Sequence, residues 1–119
     1  VSLFVEPDLK VVQMSHELGA DAIELHTGKF CMATQGALGK KSKAAEKTEF
    51  KRINDAARLG KKLGIHVHAG HGFDDQNVRP VVALEMIEEY NIGHFIVCRA
   101  AIVGLDQAVR EMLAAIQAP

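Results

Sequence analysis

Apolar residues along the chain alternate between period two, the mark of a half-buried strand, and period 3.6, the mark of a helix with one buried face. "VSLFVE" (1–6) is a short β-rich run ended by Pro7-Asp8. Asp8 is a plausible helix N-cap, with Leu9, Val12 and Leu18 at roughly helical spacing up to a stop at Gly19. "AIELHT" (22–27) alternates, which puts Ile23 and Leu25 on one side of a strand and Glu24 and His26 on the other. Residues 28–44, with three glycines and four lysines, read as a long loop, either an active-site lid or an inert insertion. A helix is expected over about 45–62, with Phe50, Ile53, Ala57 and Leu59 on its buried face and Gly64 after it. "IHVHAG" (65–70) reads as a third strand and "QNVRPVVALEMIEEY" (76–90) as a third helix with Pro80 in its first turn. "GHFIVCRA" (93–100) reads as a fourth strand. The last helix, 102–117, has Leu105, Val109, Met112, Leu113 and Ile116 on one face.

The order is therefore β-α four times, and such alternation implies right-handed crossovers and a parallel sheet. The fold class is α/β. Four units make either a small open sheet or half of a (β/α)8 barrel. The chain opens directly on a core strand without Met, so a fragment is expected, which favours the half-barrel. Residues 1–119 are then a single βα-repeat segment of one barrel domain. In parallel sheets of either kind, ligands bind at the carboxyl ends of the strands. Glu6, "ELHTG", "AGHG" and "CRA" all fall at such ends on these boundaries, which favours an enzyme.

Composition narrows the class without naming a chemistry. Of 119 residues 48% are apolar and 24% charged, as in an ordinary globular protein. The net charge of −1 gives no electrostatic footprint for nucleic acid. There is neither an apolar run long enough to span a membrane nor a signal pattern, so a soluble, cytoplasmic protein is expected. Cys31 and Cys98 lie far apart without a CxxC and are expected as free thiols.

"HVHAGHG" (66–72) is the densest chemistry in the chain. His66 and His68 share a strand face, whereas His71 lies past the strand end between Gly70 and Gly72. Zinc on the three histidines is conceivable, but the stretch lacks a specific signature such as HExxH, and no metal site is assigned. His66 reads as partly exposed and His68 as a hydrogen-bonded core residue. His71, at a glycine-flanked strand end, is placed for general acid–base work. Glu24 faces the polar side of its strand, where it is either structurally paired or held near a reacting centre. Arg99 reads as either a phosphate ligand or an ordinary ion-pair partner. Gly93 and His94, on these boundaries, sit at the amino end of the fourth strand.

Taken in order, "VSLFV", "IELHTG", "AGHG", "NIGH" and "RAxxxGL" make the chain resemble the C-terminal half of the pyridoxine 5'-phosphate synthases of bacterial vitamin B6 biosynthesis. The resemblance runs over essentially the whole chain and implies strands five to eight of a (β/α)8 TIM barrel. It implies a transferase-class enzyme that condenses 1-deoxy-D-xylulose 5-phosphate with 3-amino-2-oxopropyl phosphate and releases phosphate and water. No cofactor or metal is implied, and the assembly would be a homo-oligomer, an octamer in the family. Neither a nucleic-acid nor a membrane partner is expected. Carried over by residue, Glu24 would be the transition-state-stabilising carboxylate and His71 the general acid. Gly72, Gly93 and His94 would bind the aminoketone phosphate, which conflicts with the strand boundary drawn at 93. The chain departs from the family at Cys98, where Gly is usual, at His68, where Asn is commoner, and in a longer loop after Gly28. General bases and most ligands for the other substrate belong to the first four strands, so this segment alone is expected to be inactive. A flavodoxin-like phosphate-binding domain and another phosphate-binding barrel enzyme are the alternatives. An aldolase would need a Schiff-base lysine at a strand end, and none of these strands ends in one.

Overall fold

The computed structural model describes residues 1–36 and 41–117. Four strands, β1 (Ser2–Val5), β2 (Ala22–His26), β3 (His66–Gly70) and β4 (Glu89–Asn91), form one parallel sheet in the order β1-β2-β3-β4. The helices are α1 (Leu9–Glu17), α2 (Gly28–Gln35), α3 (Lys43–Lys62), α4 (Val78–Val82), α5 (His94–Val103) and α6 (Leu105–Gln117).

Register explains how the alternating sequence becomes a two-faced wall. Phe4, Glu24, His68 and Glu89 are paired across the sheet in one row, and Val5, Leu25, Ala69 and Tyr90 in the next. Successive side chains point to opposite faces. Ile23, Leu25, Val67 and Ala69 are fully buried and join Val12 of α1, Ile53, Ala56 and Ala57 of α3, and Met112 and Ala115 of α6 in one core. Each fully buried Val, Leu or Ile contributes about 1.5–3 kcal/mol of transfer free energy. Gly60 lets α3 lie close on β3, since a Cβ there would stand 2.7 Å from Val67 Cγ2. The other sheet face carries Glu24, His26, His68 and Gly70 and stays open, with Phe4 57% exposed.

Strand order in strict sequence, without the reversal that defines a doubly wound sheet, is the pattern of a barrel wall. The fold is thus α/β with alternating β and α units, as in part of a (β/α)8 barrel, and the flavodoxin-like alternative lacks its defining switch point. The N-cap expected at Asp8 forms, and Ser42 caps α3 in the same way. Asp8 Oδ1 accepts from the N–H groups of Lys10 and Val11 at 2.9 and 3.2 Å, and Ser42 Oγ accepts from Ala45 N–H at 3.2 Å.

Three boundaries differ from expectation. The run 93–100 is not a strand; α5 occupies His94–Val103, and the fourth strand is the shorter Glu89–Asn91. A short, uniformly apolar run has no period to read, and the alanines at 100 and 101 favour a helix. The expected helix over 76–90 is only α4, because Glu85 takes a left-handed φ of 54° and ends the helical path. The expected loop 28–44 contains α2, whose Phe30, Cys31 and Ala33 are buried and whose end is set by Gly36 at φ 69°. The rest of that stretch includes 37–40, which lie outside the described residues, so the lid reading does too. Two buried faces also differ. Leu9 and Leu18 are exposed on α1, and on α6 the core side is Ala108, Met112 and Ala115, while Leu105, Val109 and Leu113 face outward.

Candidate functional site

The carboxyl ends of β2, β3 and β4 border a cavity of about 720 Å³. Glu24, His71, Gly72, Gly93 and His94 all line it, with Phe4, Asp74, Asn91 and Cys98 among its other walls. Five residues spread over 71 positions are thereby brought to one place by the parallel register.

Glu24 projects from β2 onto the open face, over Gly70 of the neighbouring strand. A Cβ at Gly70 would overlap Glu24 Oε1 and stand 3.1 Å from Asn91 Cβ. The glycine is therefore the space that Glu24's carboxylate occupies. His71 follows directly, at φ 81°, a left-handed conformation that a side-chain-bearing residue adopts at a cost of order 1–2 kcal/mol. Its ring stacks on that of His26, with centroids 4.7 Å apart and planes at 25°. The stack is built from β2: His26 Nδ1 accepts from Gly28 N–H at 3.3 Å and lies 3.6 Å from Glu6 Oε1. Glu6 in turn is 3.5 Å from Lys29 Nζ and 3.8 Å from an Arg52 nitrogen.

The loop after His71 is held from α2. Gly72 at φ 90° packs against Cys31, whose Cβ would be 2.9 Å from a Cβ there. Burial pushes the Cys31 thiol up to about 12, so it stays protonated and unreactive at neutral pH. Gln35 Nε2 donates to Gly72 O and Asp74 Oδ2, both at 3.0 Å. Asp74 Oδ1 accepts from the N–H groups of Gln76 and Asn77, and Asn77 Oδ1 accepts from Asp74 N–H.

Gly93 and His94 follow β4 and open α5, so they stand at the carboxyl end of the strand, not the amino end expected from spacing. No side chain caps this helix start and its first turn holds no acidic residue. Its leading N–H groups and positive dipole end face the cavity wall, an arrangement suited to a phosphate. The "CRA" segment lies within α5 and not at a strand's carboxyl end. Arg99 makes an ion pair, with Nε 2.7 Å from Glu111 Oε2 on α6. The hydrogen bonds between them raise the Arg99 pKa and lower that of Glu111.

The three histidines of "HVHAGHG" have separate partners. His66 Nδ1 is 2.7 Å from Glu88 Oε2, His68 Nδ1 is 3.9 Å from Glu89 Oε1, and neither lines the cavity. His68 is in direct register with Glu24, on the same sheet face. Among the described residues, no three His, Cys, Asp or Glu side chains are grouped to hold a metal ion. Thr27, Gln35 and Asp74 had no signal in the sequence, since their partners are far along the chain. His26 was visible as a polar residue beside Glu24, though not as the neighbour of His71.

Comparison with known proteins identifies the family. The family profile described as "Pyridoxal phosphate biosynthesis protein PdxJ" matches residues 1–118. The chain is 50% identical over 112 residues to the pyridoxine 5'-phosphate synthase of Syntrophotalea carbinolica, covering 94% of this chain and 44% of that protein. It is 48% identical over 119 residues to the synthase of Trichlorobacter lovleyi, covering 100% of this chain and 47% of the relative. For Geobacter metallireducens the figures are 50% over 113 residues, 95% and 44%. The chain thus spans a little under half the length of the relatives it matches, and the match reaches nearly every residue that forms the sheet and the cavity. It belongs to the PdxJ family of pyridoxal phosphate biosynthesis proteins.

Proposed function

We propose that this chain supplies the carboxyl-terminal half, strands five to eight, of the barrel of a pyridoxine 5'-phosphate synthase. The observation that carries the reading is the convergence of Glu24, His71 and the uncapped start of α5 on one cavity at the carboxyl ends of the strands. The reaction would join 1-deoxy-D-xylulose 5-phosphate to 3-amino-2-oxopropyl phosphate, releasing phosphate and water. Closing the ring requires several oxygens to leave carbon, and each leaves more readily as a proton reaches it. His71 is the donor in this reading, its imidazole carried at a strand end beside the cavity. Glu24 stabilises positive charge that develops on nitrogen as the amine and ketone condense. The N–H groups at Gly93 and His94, with Gly72 opposite, hold the phosphate of the aminoketone.

The functional unit would be cytoplasmic and homo-oligomeric, taking only small phosphorylated substrates. The first four strands would complete the substrate sites, which leaves this segment inactive alone. The test is turnover by the full-length synthase containing this chain. His71→Ala is expected to lower kcat at least about a hundredfold with the fold intact, the effect of losing a general acid. Glu24→Gln is expected to lower kcat by a similar factor, on the order of a hundredfold, with little change in KM. Near-wild-type release of phosphate by His71→Ala would remove the acid role. A loss of stability in Glu24→Gln without loss of rate per folded molecule would make that carboxylate structural.

A further inference from the structure

The buried hydroxyl of Thr27 is used in an unusual way. Thr27 is the N-cap of α2, where a threonine oxygen normally accepts from an N–H two or three residues ahead. Here it makes no such bond. Its Oγ1 instead lies 2.7 Å from Gly70 O and 2.9 Å from His71 O, so one hydroxyl hydrogen is shared between two carbonyls of another strand's end. Thr27 N–H also donates to Gly70 O at 3.0 Å. The residue is 1% exposed, which leaves no room for water to take over these bonds.

We propose that Thr27 is a positioning residue for His71, a proposal that rests on the reading of His71 as proton donor. Gly70 and His71 are where β3 leaves extended geometry, and His71 is held there at φ 81°. Such a conformation persists only where surrounding contacts fix it. The end of β2 supplies them in three consecutive residues. His26 stacks on the ring from one side, 4.7 Å away. Thr27 ties down the carbonyls on either side of the bend. Gly28 provides clearance, since a Cβ there would stand 2.5 Å from His26 Cε1 and 3.1 Å from His71 Cδ2. Of these, the hydroxyl is the group that fixes the backbone of His71 itself. Losing it frees the imidazole to swing off the substrate, and a displacement of about 1 Å costs roughly a hundredfold in rate.

The experiment is a graded series at position 27 in the full-length synthase, with kcat and KM measured per folded molecule. Thr27→Ser keeps the donor and is expected to stay within about threefold of wild type, whereas Thr27→Val keeps the shape and loses about thirtyfold or more in kcat with KM little changed. Thr27→Cys, a weak donor of similar size, falls between them. Should the Val variant fail to fold, the comparison of Ser with Cys decides. Equal kcat for those two, or wild-type kcat for Val, overturns the proposal. The same series is repeated with His71→Ala. There Thr27→Val is expected to add no further loss, because its effect passes through His71; an undiminished loss overturns the positioning role. If His71→Ala alone is as active as wild type, the reading of His71 fails, and that outcome is separate from the response of the Thr27 series.

Discussion

Gly70 lacks a side chain because the carboxylate of another residue occupies that space. Glu24 Oε1 lies where its Cβ would be, and Asn91 closes the far side at 3.1 Å. Gly70→Ala must therefore push Glu24 away from the cavity without disturbing the core behind the sheet. We expect kcat to fall at least about tenfold while unfolding free energy falls by less than about 2 kcal/mol. A variant with full activity and a shifted Glu24 would show that the carboxylate's position is unimportant. At this scale the sequence was informative wherever a residue's unusual neighbours lay beside it. The glycines around His71 mark a backbone that leaves the strand, and the structure gives that residue and Gly72 their left-handed φ values. Thr27 was silent for the opposite reason: its partners, Gly70 and His71, are 43 and 44 positions away.

Among the elements, α5 changes the picture most. As a strand, residues 93–100 would have carried Arg99 toward a strand end; as a helix, they carry it to Glu111 on α6. Spacing alone left Arg99 open between phosphate ligand and ion-pair partner, and the helix decides for the second. The prediction is that Arg99→Met in the full-length synthase leaves KM for the aminoketone phosphate within about threefold, a change of under about 1 kcal/mol in binding. A tenfold or greater rise would return Arg99 to the phosphate site. Helices with a polar side, such as α3, were legible because their period survives. In α5 the apolar residues run all round and none is fully buried, so nothing in the local pattern separates it from a buried strand. The core side of α6 was read in part: Met112 and Ile116 pack inward as expected, but small alanines, Ala108 and Ala115, complete that side in place of Leu105, Val109 and Leu113.

At the scale of the molecule, large apolar side chains lie uncovered at both ends of the repeat. Phe4, Met14 and Leu18 are more than half exposed on β1 and α1, as are Val97, Ile102 and Leu105 on α5 and α6. β1 and β4 are also the two edge strands of the four-stranded sheet, and edge strands offer unpaired backbone groups. Both features are in keeping with the proposed reading of this sheet as part of a barrel wall. The four βα units and their parallel order were readable from alternating periods, because right-handed crossovers leave few other topologies.

Joining this chain to the amino-terminal half of the Trichlorobacter lovleyi relative and measuring formation of pyridoxine 5'-phosphate tests the central claim most directly. The account predicts product from the joined barrel and none from the chain alone. A joined barrel that folds, binds both substrates and yields no product would contradict it.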